Sequence, residues 1–146
     1  MKRLLLLLLL LSLPAHADEF AFKDTQGNVI KLSNYRGKWV LVNFWSISNP
    51  ASTGEIPQLA ALFDAHRNKN LVVLGIAMNY RNAKSVTDFA SSKRIPYPIV
   101  LGNDDIAYQI GDFQGLPANF LYNPSGDLAA EKTGPITRDD VERLIR

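Results

Sequence analysis

The sequence has no cysteine, and only two histidines and two methionines among its 146 residues. Without a thiol there is no disulfide framework, no thiolate nucleophile and no sulfur ligand for a metal. Beyond the first twenty residues only His66 and Met78 remain of the other soft or imidazole ligands. Zinc, copper or haem would have to be held almost wholly by carboxylates, so ligand supply excludes them and no cofactor is expected. Long apolar runs are scarce too. The single one, residues 4–13, is ten residues long, against about 20 needed to span a bilayer as a helix.

That run follows Lys2 and Arg3 and precedes Ala15-His16-Ala17, a small-x-small triplet. The pattern predicts an export leader over residues 1–17, cleaved after Ala17, and a periplasmic location with no integral membrane segment in the mature chain. Residues 18–146 then form one domain, long enough to bury a core without staples. The formal charge of +2 is the leader's: without Lys2 and Arg3 the balance is 14 basic against 14 acidic residues. A net charge near zero gives no reason to expect nucleic acid or an acidic membrane as partner.

Within the domain, "FAFKDTQGNVIKLSNYRGK" gives two short alternating segments about Gln26-Gly27-Asn28, a hairpin. "KWVLVNFW", residues 38–45, is nearly continuous in apolar residues, as a central strand buried on both faces must be. From Pro50 to about Asn68, Ile56, Leu59, Leu62 and Phe63 recur at helical spacing, and "LVVLGIAM" is a second buried strand. Strand, helix, strand in that order implies a parallel pair with a right-handed crossover. A helix from Asn82 turns Val86, Phe89 and Ala90 inward, "PYPIVLG" is a short strand, and "DDIAYQIGDF" is a short helical insertion with Ile106, Tyr108 and Ile110 as its apolar side. "ANFLYN", a turn at residues 124–127 and "LAAEKTG" make an antiparallel hairpin. A last helix over residues 138–146 is capped by Thr137, with Asp139 and Asp140 in its first turn. The expectation is an α/β fold: a mixed central sheet flanked by helices, in the thioredoxin arrangement.

"LSNYRGKWVLVNFW", "EIPQL", "LVVLGIAM" and "GLPANFLYNPSGDL", in that order, resemble the exported thioredoxin-like thiol:disulfide oxidoreductases of the TlpA/ResA type, with a redoxin or AhpC-TSA-like domain. The resemblance covers residues 20–146. In that family the strand ending Phe-Trp leads into Ala-Ser/Thr-Trp-Cys-Pro-Pro-Cys, two further residues, and Glu-Ile/Phe-Pro. Without a gap, Phe44 and Trp45 match, Ser48 stands for the tryptophan, Asn49 for the first cysteine, Pro50 is kept, Ala51 stands for the second proline, Ser52 for the second cysteine, and Glu55-Ile56-Pro57 is intact. Thiol–disulfide exchange needs one thiolate to attack and a second thiol to resolve. Neither an amide nor an unactivated hydroxyl supplies that chemistry.

The resemblance implies a peptide groove made by Trp45, Asn49, Pro50, Leu116 and Pro117, with Pro117 matching the family's cis-proline and Glu55 its acid beside the cysteines. On their own chemistry, the same residues read more plainly. Asn49 is among the best helix N-caps, and Pro50 follows at the position where a missing N–H costs nothing. Ser52 fills a cysteine-sized space or points its hydroxyl at a bound thiol or anion, and Glu55 favours the helix dipole from the first turn. Trp45 and Phe44 are core residues, and His66 is a cation at a helix end. The leading expectation is a redox-inactive protein that binds envelope proteins or peptides as an adaptor or chaperone. The alternatives are a family-type oxidoreductase of which this sequence is a variant, and a glutathione- or thiol-binding enzyme using Ser52.

Overall fold

The computed structural model describes residues 19–146. The expected leader lies outside the described residues. A hairpin of β1 (Ala21–Lys23) and β2 (Val29–Lys31) leads through a 3-10 turn (Leu32–Tyr35) into the main sheet. Its five strands are β3 (Trp39–Trp45), β4 (Leu71–Ala77), β5 (Ile99–Leu101), β6 (Ala118–Tyr122) and β7 (Leu128–Thr133), in the spatial order β5-β4-β3-β6-β7. Strands β3, β4 and β5 are parallel, whereas β6 and β7 run antiparallel to them. Helices α1 (Pro50–His66), α2 (Ala83–Ser92), α3 (Asp104–Tyr108) and α4 (Arg138–Leu144) make the connections and the tail.

Strand β3 sits in the middle because its residues tolerate no water on either side. Val40, Val42 and Phe44 point into one core with Phe20, Phe22 and Ile30 of the N-terminal segment, Leu74, Ile76 and Phe120. Leu41 and Trp45 point the other way, onto Leu59 and Leu62 of α1, Val86 of α2 and Val141 of α4. Alternation of side chains along a strand sends consecutive apolar residues to opposite faces, so a continuous apolar run requires cover on both. The hairpin and α3 give one cover; α1, α2 and α4 give the other.

Each of the four helices begins with a side-chain cap: Asn49, Asn82, Asn103 and Thr137 each accept a backbone N–H of the first turn. Helix α3 corrects one expectation. Ile110 is buried and Ile106 half-buried, but Tyr108 is 81% exposed. Residues two apart on a helix lie on opposite sides, so Tyr108 could not share a face with both isoleucines.

Candidate functional site

The carboxyl end of β3 runs through Ser46-Ile47-Ser48 to Asn49, the N-cap of α1. Asn49 Oδ1 accepts the Ser52 N–H at 2.8 Å, while its Nδ2 donates to the Leu116 carbonyl at 3.2 Å. One side chain therefore satisfies an otherwise unpaired helix amide and ties the helix start to the loop that enters β6. The Leu116–Pro117 peptide in that loop is cis. Asn49 and Leu116 are half-buried, Pro50 is exposed and Pro117 is buried, so the Asn49–Leu116 contact lies at the surface with Pro50 beside it and Pro117 beneath. The structure brings together four of the five residues expected there.

Trp45 is the exception. It is 1% exposed and packs against Phe89 with ring centroids 5.6 Å apart, so it belongs to the core beneath the groove. Its place in β3 explains this: the side chain shares the Leu41 face, toward α1 and α2. Ser52 is likewise 1% exposed, and its Oγ has no hydrogen-bond partner among the described residues. It fills space under the helix start, and its hydroxyl is not presented to a surface thiol or anion.

Glu55 departs furthest from expectation. It is the sixth residue of α1, past the first turn, and 2% exposed, so it does not act as a surface charge on the helix dipole. It is the centre of a buried polar cluster. Asn43 Nδ2 donates to Glu55 Oε1 at 2.5 Å, Asn119 Nδ2 to Oε2 at 3.1 Å, and the Ile136 N–H to Oε2 at 2.7 Å. Asn43 Nδ2 also donates to Asn119 Oδ1 at 2.9 Å, as befits residues directly opposite in the β3–β6 ladder. Burial pushes the Glu55 carboxyl above the usual glutamate range, and the three donated hydrogen bonds oppose that rise without cancelling it. Burial, with the nearby Glu55 charge adding to it, raises the Tyr97 phenol.

Asn43 and Asn119 were not among the expected site residues. A signal for them was present: each is an amide inside an otherwise apolar strand, "VNFW" and "ANFLY", and a buried amide requires partners. The helix carrying Glu55 makes two further ties to the C-terminal element. Gln58 Oε1 accepts the Arg138 N–H at 2.9 Å, and His66 Nε2 meets Glu142 Oε1 at 2.9 Å. His66 is thus the outer end of an α1–α4 seam.

A central β3 flanked by parallel β4 and antiparallel β6, a helix start at the end of β3 and a cis-proline loop facing it define a thioredoxin-like protein. The chain belongs to the AhpC/TSA family, whose model matches residues 14–131. Thiol-disulfide oxidoreductase ResA of Geobacillus kaustophilus is 33% identical over 133 residues, covering 88% of this chain and 74% of that protein. Sporulation thiol-disulfide oxidoreductase A of Bacillus subtilis is 28% identical over 131 residues, 88% of this chain and 79% of that one. Among solved structures, StoA from Bacillus subtilis superposes with a TM-score of 0.74 at 25% identity, over 86% of this chain and 94% of its own. A thiol:disulfide interchange protein of Chlorobium tepidum gives 0.79 at 22% identity, over 87% and 90%. The relatives are named for thiol–disulfide exchange, and this chain has no cysteine at position 49, at position 52 or elsewhere. Among the described residues there is also no cluster of three or more metal-ligating side chains and no helix long and apolar enough to cross a membrane.

Proposed function

We propose that this protein is an exported thioredoxin-fold binding protein that holds extended polypeptide segments of envelope proteins in the groove between Asn49-Pro50 and Leu116-Pro117, without redox exchange. The observation that carries the reading is the double use of Asn49. The residue in the first cysteine's place caps α1 and fastens the cis-proline loop, so the groove is kept in shape by an amide that cannot attack a disulfide. Export, with cleavage after Ala17, rests on the composition of residues 2–17.

The decisive measurement is insulin reduction driven by dithiothreitol, with the mature chain at stoichiometric and catalytic levels. No turnover above the dithiothreitol background is expected, and turnover above it overturns the reading. Calorimetry against unfolded envelope polypeptides tests the binding half: heat that disappears when Pro50 and Leu116 are both changed to Asp supports the groove. A complete absence of binding removes it. The thiol-binding alternative draws no support from the buried Ser52 hydroxyl.

A further inference from the structure

The surface beside Asn49 does not end at Leu116. Beyond it, on the side of α3, lies an open cleft of about 340 Å3 whose walls include Met78, Tyr108, Phe113 and Leu116, together with Asp104 and Asp112. Met78 directly follows β4, and Leu116 precedes β6, whose Ala118 lies opposite Phe44 near the end of β3. The cleft is therefore at the same end of the sheet as Asn49, with Leu116 shared between the two. Its charge is one-sided. No lysine, arginine or histidine lines it, and none occurs anywhere from Ile95 to Glu131, a stretch that carries Asp104, Asp105 and Asp112 on and around α3. These three carboxylates are exposed and form no salt bridge among the described residues, where the ion pairs present involve Asp88, Asp140 and Glu142. Between Asp112 and Leu116 the backbone takes part in one hydrogen bond among the described residues, the Asn49 contact to the Leu116 carbonyl. The edge is open for an extended chain to lie along.

We propose that the occupant of this cleft is a cationic polypeptide segment, its Lys or Arg side chains reaching Asp104 and Asp112 while its apolar side chains meet Met78, Phe113 and Leu116. The inference rests on the groove reading above and gives it a substrate class. Tyr108, an exposed ring on the cleft wall, suits this occupant in particular. A lysine or arginine stem packs on an aromatic face, and its charge is attracted to the ring as well as to the carboxylates. A metal ion is a poorer fit, because hard cations take six or more oxygen ligands and no group of three acidic or histidine side chains gathers among the described residues. A second copy of the chain is the competing cationic partner: Lys38, Arg67 and Arg94 line a cleft at the opposite end of the strands, and joining the two ends would give open, head-to-tail association.

The test uses the mature protein and three fluorescently labelled twelve-residue peptides that share their apolar residues and carry four Lys, four Gln or four Glu, read by fluorescence anisotropy. At low salt the Lys peptide is expected to bind about fivefold or more tighter than the Gln peptide, the Glu peptide weakest, with the gap closing in high salt. The gap should vanish in Asp104→Asn/Asp112→Asn and persist in Glu131→Gln, an acid away from the cleft, with circular dichroism melts confirming that both variants fold. Equal binding of all three peptides overturns the cationic occupant and leaves the groove reading intact. No binding of any peptide overturns both. A preference that survives Asp104→Asn/Asp112→Asn removes the cleft from the proposal. Concentration-dependent association in sedimentation, lost in that same variant, assigns the cleft to a second copy and overturns it as well.

Discussion

At the scale of single residues, Asn49 and Glu55 do opposite kinds of work with the same economy of atoms. Asn49→Ala removes a cap and a loop tie together, and should lower the unfolding free energy by about 1 to 2 kcal/mol in urea titration. Asn49→Asp keeps an acceptor for the Ser52 amide but sets a carboxylate against the Leu116 carbonyl. It should retain most of the stability while weakening peptide binding. Glu55 is surrounded by donors, so Glu55→Gln forces an NH2 to face one of them and should cost about 1 to 3 kcal/mol. The pH dependence has a definite sign. Because burial raises the Glu55 carboxyl, the folded protein keeps this proton at pH values where the unfolded chain has lost it. The group's contribution is full below the ordinary glutamate value of 4.5 and is lost as pH rises through the elevated one. The stability difference between the wild type and Glu55→Gln should therefore narrow as pH rises from 4.5, and a difference that widens over that range would contradict the assignment. Gly102 is a simpler case. A Cβ there would fall 2.6 Å from the Ala77 carbonyl oxygen and 2.5 Å from Met78 Sδ, so Gly102→Ala should destabilise by about 1 to 3 kcal/mol, checked by thermal melting.

At the scale of elements, most of the fold was legible in the sequence because period and capping are local. "KWVLVNFW" and "LVVLGIAM" declared themselves as strands covered on both faces, and Thr137 with Asp139 and Asp140 marked the start of α4 where the structure has it. Legibility failed where the deciding partner is distant in the chain. Glu55 could be placed on α1 from sequence, but its burial depends on Asn43, Asn119 and Ile136, the last 81 residues away. For Trp45 the residue's own chemistry gave the core, as the structure has it, and only the family resemblance placed it at the groove. Asn49 as the cap of α1, Pro50 as its first residue and the cis-proline at 117 were legible through family motifs, whereas the amide bridge from Asn49 to Leu116 spans 67 residues and has no sequence signature. The α1–α4 seam is an element-scale property as well. Removing its outer tie with His66→Ala should speed amide exchange in α4 more than in α1, since α1 has the sheet beneath it and α4 has fewer contacts to lose.

For the whole molecule, the arrangement is the family's frame without any cysteine. If only the sulfurs are missing, Asn49→Cys/Ser52→Cys should restore what the frame supports: an intramolecular disulfide on oxidation, seen as a mass loss of about two hydrogens, and measurable insulin reduction with dithiothreitol. A double variant that folds but remains inert would mean that further parts of the site have diverged. The bridge from Asn49 to Leu116 also has a temporal consequence. A site built on two thiols would hold a captured partner as a mixed disulfide until the second thiol attacked and released it. Under the proposed function no disulfide can form at Asn49, and the time a segment spends in the groove would be set by its dissociation rate alone. On that proposal the same segment would come and go at the same pace under oxidising and under reducing conditions.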